Sequence, residues 1–346
     1  MVIVMGPEAT ADDLSAIVSV VEAAGVEAFV SKGVSRTIVG LVGDVTQLDA
    51  AALRGMGGVR DVMRVSTPYK LVSRENHPER STVHVGGVPI GPGTVTLIAG
   101  PCAVETHEQT LAAARMAQAA GAVLLRGGAF KPRTSPYAFQ GLGEQGLRIL
   151  ADVREETGLP IVTEVLDVRD VELVASYADM LQIGTRNMQN FALLQAVGAA
   201  GRPVMLKRGM SATIEEWLMA AEYIAQRGNL DIVLCERGVR TFETATRNTL
   251  DVSAVPVAQR LSHLPVVVDP SHSGGHRDLV LPLTRAAVAA GADGVIIDVH
   301  PRPEQALVDG PQALMEADLG ALAQIMTDFP PLLGKTPAAA AARATA

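Results

Sequence analysis

From Thr96 onward the chain repeats one texture, a short apolar run followed by an amphipathic stretch. The apolar runs are TLIAG, VLLRG, IVTEV, MLQIG, PVMLK, DIVLC, PVVVD and VIIDV, eight in all. Each is largely apolar rather than strictly alternating, as in strands covered by helices on both faces of a parallel sheet. The stretches with helical texture include Thr106–Ala120, Glu144–Thr157, Ala192–Ala200, Ile214–Gln226 and Leu279–Ala290. Eight strand–helix units over about 230 residues predict an α/β fold of the (β/α)8, or TIM-barrel, kind. A doubly wound open sheet is the alternative, and the absence of a GxGxxG fingerprint from these runs counts against it.

The barrel is expected over residues 96–330, and what precedes it reads differently. Residues 1–67 give a strand at Val2–Met5, a helix from a Thr10/Asp13 start to Gly25, and strands at Glu27–Ser31 and Thr37–Val42. A second helix at Thr46–Arg54 and a strand at Val59–Val65 complete the order βαββαβ, a small ferredoxin-like domain. Residues 68–95 read as a polar linker and then a hairpin around Gly86-Gly87. Residues 331–346, ending in PAAAAARATA, read as a low-complexity tail.

Composition narrows the function. Hydrophobic residues make up 48% and aromatics only 3%, so the core must be aliphatic. A formal charge of -8 argues against a nucleic-acid partner, and any anion must be held by local cations. The two cysteines, Cys102 and Cys235, form no CxxC pair, which fits a reducing, cytoplasmic setting. The amino terminus has no signal-peptide pattern and no apolar run approaches a membrane span, so no membrane partner is expected.

In a barrel the carboxyl-terminal strand ends carry the site. Here they deliver Cys102, Arg126, Glu164, Arg186, Lys207, Glu236-Arg237, His272, Asp298 and His300. Two chemistries emerge. Cys102, His272, Asp298 and a later acid, Asp309, suit a divalent transition metal, although a lone cysteine is also an ordinary small hydrophobe and a loop histidine can be satisfied by neighbouring serines. Arg126, Lys131, Arg133, Arg186, Lys207 and Arg237 imply substrates with several negative charges, because Arg offers a planar fork to phosphate or carboxylate and Lys a point charge. The stretch from Leu124 to Gly143 concentrates three of them on a loop stiffened by Pro132. Glu164 and Glu236 either orient these cations, position water, or are ordinary ion-pair partners. Cys235 is assigned a packing role, and His276 and His300 supporting or surface roles.

These motifs resemble those of the 3-deoxy-D-arabino-heptulosonate-7-phosphate (DAHP) synthases, in the type I beta group with a ferredoxin-like N-terminal domain. The resemblance rests on AGPCAVE (99–105), LRGGAFKPRTSPYAFQGLG (125–143), QIGTRNMQN (182–190), LKRGM (206–210), CERGVRTFE (235–243), DPSHSGGHRD (269–278) and DVHPRPEQALVDG (298–310). It extends to VSKGVSRTIVGLVGD and VSTPYKLVSRENHP in the amino-terminal part. It implies a transferase making the first step of the shikimate pathway, the metal-dependent condensation of phosphoenolpyruvate with D-erythrose 4-phosphate to give DAHP and phosphate.

By the same resemblance Cys102, His272, Asp298 and Asp309 fall on the metal positions, for one ion such as Mn, Fe or Zn. Arg126, Lys131, Arg186, Lys207 and Arg237 fall on positions that hold phosphoenolpyruvate. Arg133 and Thr134 of KPRT fall on those for the phosphate of erythrose 4-phosphate. Lys131, Cys102 and His272 are the implied catalytic residues; Lys131, Glu164 and His272 are the candidates for moving protons. The alternative is a 3-deoxy-octulosonate-8-phosphate synthase-like enzyme using arabinose 5-phosphate, in which the family's sequence at KPRT differs. One departure stands out: the family motif carries Glu where this chain has Asp298, shortening the reach by about 1.3 Å. The resemblance further implies a homo-oligomer, dimer or tetramer, and feedback control by tyrosine or phenylalanine at residues 1–67, with Ser31 a candidate contact.

Overall fold

The computed structural model of the protein describes residues 1–32, 37–63 and 67–339, with the side chains of Ser31 and Lys32 excepted. The chain divides into two compact units between Pro68 and Tyr69. The first unit runs β1 (Val2–Met5), α1 (Ala11–Ala23), β2 (Glu27–Lys32), β3 (Thr37–Val42), α2 (Ala50–Arg54) and β4 (Val59–Met63). Its antiparallel sheet has the order β2-β3-β1-β4, the ferredoxin-like arrangement. Thr10 and Asp13 cap α1 reciprocally: the Asp13 amide donates to Thr10 Oγ1 at 3.2 Å, and the Thr10 amide to Asp13 Oδ2 at 2.8 Å. The helix expected from Thr46 instead begins at Ala50. Asp49 accepts the Ala51 amide at 2.8 Å and starts a fresh helix after a short 3₁₀ turn over Val45–Gln47. The candidate contact at the Ser31 side chain lies outside the described residues.

The second unit opens with a hairpin, β5 (Val83–Val85) and β6 (Val88–Ile90). Gly86 and Gly87 both take positive φ, 54° and 84°, as a two-residue turn matched to the strand twist requires. There follow β7 (Thr94–Gly100), α3 (His107–Ala119), β8 (Leu124–Arg126), α4 (Glu144–Thr157), β9 (Ile161–Glu164), α5 (Val171–Tyr177), β10 (Met180–Ile183) and α6 (Phe191–Ala199). The chain continues through β11 (Val204–Lys207), α7 (Ile214–Ala225), β12 (Ile232–Glu236), α8 (Ala254–Leu261), β13 (Val266–Val268), α9 (Pro270–Gly274), α10 (Arg277–Ala289), β14 (Gly294–Asp298), α11 (Glu316–Leu332) and β15 (Thr336–Pro337). Strands β7 to β14 pair in sequence, and β14 pairs back on β7 from Gly294↔Thr96 to Asp298↔Gly100, which closes an eight-stranded parallel barrel.

Strand alternation then decides where each side chain goes. One set, including Leu97, Leu125, Leu181, Leu206, Leu234 and Ile297, packs outward in the cluster shared with the helices. The other set points inward: Ile98, Leu124, Val162, Met180, Met205, Val233, Val267 and Ile296 form one apolar layer, which the hairpin residues Val83, Val85, Val88 and Ile90 join. Two residues further along the same strands, and therefore on the same inward face, stand Arg126, Glu164, Gln182, Lys207, Asp269 and Asp298. The barrel is thus filled with aliphatic side chains at one level and with polar and charged ones at the next, toward its carboxyl-terminal end.

The tail expected from residue 331 starts later than the Pro330-Pro331 pair suggests. Helix α11 continues to Leu332, and Thr336–Pro337 pair in parallel with Thr94–Val95. Lys335 holds this segment down, its ammonium donating to Gly291 O at 2.8 Å, Ala292 O at 3.1 Å and the buried Asp293 carboxylate at 2.8 Å. Residues 340–346 lie outside the described part.

Candidate active site

Cys102 lies two residues past β7, His272 in α9 past β13, Asp298 at the end of β14 and Asp309 on the loop after it. Separated by up to 207 residues, they offer ligand atoms that all lie within 4.8 Å of one another. Cys102 Sγ stands 3.2 Å from Asp309 Oδ2 and 3.7 Å from His272 Nε2, and the latter two are 3.4 Å apart. Ligands placed tetrahedrally around one ion at ordinary metal–ligand lengths would be separated by roughly 3.3–3.8 Å. Two of the three separations fall in that range and the 3.2 Å between Cys102 and Asp309 lies just below it, so a small adjustment seats a single divalent ion. Asp298 is held differently. One oxygen pairs with Arg126 and the other accepts from Gln312 Nε2 at 2.6 Å, leaving it 3.7 Å from His272 Nδ1. The shorter side chain at this position thus sits at the back of the cluster, already engaged by two protein donors.

The chain supports these groups closely. Asp269 accepts the His272 amide at 2.9 Å and stands 2.9 Å from its Nδ1, a charge contact without hydrogen-bond alignment. Asn248 donates to the His272 carbonyl at 3.1 Å, and Arg247 Nη1 to Asp309 Oδ1 at 3.1 Å. Asp309 is the one non-glycine residue with positive φ, 54°, among the described residues, a strain tolerated where surrounding structure fixes it. Lys131 reaches back along its own loop to donate to Cys102 O at 2.9 Å and Sγ at 3.1 Å. Only glycine fits at 128, where a Cβ would lie 2.6 Å from Lys131 Cδ and 2.8 Å from Cys102 O.

Charge follows this geometry. Burial pushes the Cys102 thiol up, but Lys131, Arg126 and His272 outweigh it and hold it down at about 7. Burial alone would discharge His272, and the Asp269 carboxylate beside it pushes its pKa up instead. Asp269 and Asp309 are both held well below the usual carboxylate range, because His272 and nearby cations overcome the cost of burial. Cys235 faces the barrel interior just below, where burial drives its thiol up to about 12 and keeps it an inert packing group.

All six cations named from the sequence line one cleft of about 390 Å³, together with Arg240 and Arg247. Within it Arg126 Nε, Arg237 Nη1 and Glu164 Oε1 are buried without a hydrogen-bond partner in the chain. Buried charged atoms left unpaired are costly, and all three belong to residues that line the cleft, where a bound ligand or water can offset that cost. Burial raises the Glu164 pKa, opposed by Lys131, Lys207, Arg126 and Arg186. Arg133 and Thr134 lie further out on the same wall, with Arg186 Nη2 3.4 Å from Thr134 Oγ1. His300 is buried, and its Nδ1 accepts the Arg302 amide at 3.0 Å while Nε2 stands 3.5 Å from Glu105.

Some members of this site were not singled out from the sequence. Asp269 and Gln182 carried a usable signal, since each sits two residues beyond an inward-facing apolar residue, Val267 and Met180. Arg247 and Gln312 carried none, lying many residues past their strand ends.

A parallel eight-stranded barrel whose carboxyl-terminal mouth joins a thiol–imidazole–carboxylate cluster to a ring of cations defines a barrel enzyme built for anionic substrates. Comparison with known proteins agrees at both units: the DAHP synthetase I family profile matches residues 71–333, and that of the DAHP synthase ferredoxin-like domain matches residues 1–67. The chain belongs to the DAHP synthetase I family. Phospho-2-dehydro-3-deoxyheptonate aldolase of Thermotoga maritima is 53% identical over 314 residues, 91% of this chain and 93% of the relative. The crystal structure of that Thermotoga maritima enzyme matches with a TM-score of 0.87 at 50% identity, covering 97% of this chain and 98% of the other. A 2-dehydro-3-deoxyphosphooctonate aldolase of Syntrophotalea carbinolica is 39% identical over 252 residues, 67% of this chain and 90% of the relative. Among the described residues no helix is long and apolar enough to cross a membrane.

Proposed function

We propose that this enzyme condenses phosphoenolpyruvate with D-erythrose 4-phosphate, giving DAHP and inorganic phosphate. The observation that carries the reading is the convergence of six cations, His272 and Asp309 on one cleft, with the Cys102 thiol 3.7 and 3.2 Å behind the last two. Arg126, Lys207, Arg186 and Arg237, which all line the cleft, hold the phosphate and carboxylate of phosphoenolpyruvate. Arg133 and Thr134 take the phosphate of the aldose at the outer wall. Holding both reactants removes most of the entropic cost of their encounter. Cys102, His272 and Asp309, with Asp298 behind them, hold one divalent ion, such as manganese, iron or zinc. Bound there, the ion supplies Lewis-acid polarisation of the aldehyde. Lys131, beside Cys102, offers positive charge to the alkoxide that develops, and Glu164 Oε1 orients the water that adds as phosphate departs.

Phosphate release from phosphoenolpyruvate tests this with each aldose, before and after chelation. Erythrose 4-phosphate should be the preferred partner and chelation should stop release. A preference for arabinose 5-phosphate would move the enzyme to the octulosonate class. That alternative is not favoured, since the heptulosonate relative matches both units while the octulosonate relative matches about two thirds of this chain.

The ligand set must shed protons to bind an ion. Raising the pH deprotonates Cys102, held at about 7, and His272, whose pKa is raised. Affinity for Mn²⁺, titrated calorimetrically, should therefore climb by about tenfold or more per pH unit below pH ~7, and level off only once both Cys102 and His272 have lost their protons. A flat profile below pH ~7 would remove Cys102 and His272 from the ligand set.

For residues 1–67 the reading is control by tyrosine or phenylalanine in a homo-oligomer, dimer or tetramer. Deleting them should abolish any inhibition by either amino acid and leave the condensation intact. Inhibition that survives the deletion counts against this role.

A further inference from the structure

Lys207 and Arg237 project into the cleft from neighbouring strand ends, and the residues next to them in sequence point the other way. Arg208 and Glu236 are almost fully buried behind the site and meet there, Arg208 Nη1 lying 2.8 Å from Glu236 Oε2 and 2.9 Å from Asp251 Oδ2. The pair bridges the two strands where the Arg208 amide donates to Cys235 O at 2.9 Å. Arg208 Nε donates to Ala212 O at 3.0 Å, which fixes the guanidinium at a second edge. Glu236 is used completely: its other carboxylate oxygen accepts the Gly238 amide at 2.6 Å, and its carbonyl accepts the Asp269 amide at 2.8 Å. Asp251 is anchored in turn by Ser253 Oγ at 2.5 Å.

Arg237 therefore sits between two residues that the same carboxylate clamps, Glu236 itself and Gly238. This matters because Arg237 Nη1 has no partner in the chain to aim it. The direction of its side chain has to come from the backbone. Lys207 is bounded the same way by Arg208, and its own ammonium meets Asp269 at 2.5 Å, on the residue whose amide Glu236 holds.

We propose that Arg208, Glu236 and Asp251 form an ion triad that positions Lys207 and Arg237 for the phosphate-bearing enol acid, without touching it. Removing one partner of a buried ion pair leaves the other uncompensated, so the strand ends shift and the two cations lose aim. The triad is a set of positioning residues, and this inference rests on Lys207 and Arg237 binding phosphoenolpyruvate.

The test compares Glu236→Gln, Arg208→Lys and Asp251→Asn with Arg237→Ala in the full-length enzyme, reading KM for each substrate, kcat and thermal midpoint. Glu236→Gln should raise KM for phosphoenolpyruvate by about tenfold or more while KM for erythrose 4-phosphate stays within about twofold, because the aldose phosphate is held by the outer wall. Arg208→Lys should give an intermediate shift, since Lys keeps the charge but not the second donor edge. Equal changes in both KM values, or a lowered midpoint with neither KM moved, would overturn the proposal. Should Glu236→Gln fail to fold, Asp251→Asn and Arg208→Lys decide by the same criterion. Arg237→Ala separates the two levels: if it leaves KM for phosphoenolpyruvate unchanged, the substrate assignment fails, and if it alone raises that KM, the triad fails.

Discussion

Replacing Cys102 by serine is expected to lower kcat by about 10³-fold or more and to weaken Mn²⁺ binding in parallel. The thiol is the group that three different parts of the chain meet. It lies 3.2 Å from Asp309, 3.7 Å from His272 and 3.1 Å from the Lys131 ammonium. Lys131, Arg126 and His272 bring it to about 7, where it is readily deprotonated. A serine hydroxyl in the same place is similar in shape but does not ionise, so the cluster loses both a negative charge and its soft ligand. Ion-assisted stabilisation of developing charge is worth several kcal/mol, and ~4 kcal/mol corresponds to about three powers of ten in rate. Activity within tenfold of the parent, at matched metal, would mean that Cys102 is a packing residue.

Replacing Lys131 by methionine should cost about 10²–10³-fold in kcat, the usual scale for removing one preorganised donor from developing negative charge. Methionine keeps the length and the apolar stem, so the loop from Arg126 to Gly143 retains its packing. The ammonium, though, is lost from both Cys102 O and Sγ. A second result separates this from a general loss of structure. Lys131 leads the cations that draw the Cys102 thiol down to about 7, so the variant thiol should titrate higher. The pH at which Cys102 becomes reactive to iodoacetamide in the metal-free protein should move upward. An unchanged alkylation profile would show that Lys131 does not govern the thiol.

The barrel was legible because its strands leave so little choice. Runs such as PVVVD and VIIDV are too apolar to face water and too short for helices, and eight of them separated by helical stretches leave a closed barrel or an open doubly wound sheet, of which the β14–β7 pairing selects the barrel. The same alternation that buries Val267 and Ile296 lifts Asp269 and Asp298 to the mouth, so reading strand ends named most of the residues that gather at the cleft and the cluster beside it. Asp269 is less conspicuous in the sequence than His272, three residues later, because a carboxylate just before Pro270 reads equally well as a helix cap. Arg247 was invisible for a different reason: its reach to Asp309 depends on how a long loop folds back, which no local pattern encodes. The division of labour between Glu236 and Arg237 was likewise ambiguous as a sequence pair, since adjacent opposite charges are common, and only strand alternation puts one behind the site and the other inside it. The chain beyond Pro330-Pro331 was misjudged because proline suggests an ending, whereas Lys335 finds a buried carboxylate and two carbonyls that hold the segment against β7.

The proposed condensation requires one ion and two phosphorylated reactants to meet at a single rim of the barrel. Crystals soaked with Mn²⁺ and phosphoenolpyruvate, measured at the manganese absorption edge, report on this directly. The expected result is one anomalous peak bounded by Cys102 Sγ, His272 Nε2 and Asp309, with phosphoenolpyruvate alongside on Arg126, Lys207 and Arg237. A peak elsewhere, or phosphoenolpyruvate bound away from those three cations, would contradict it.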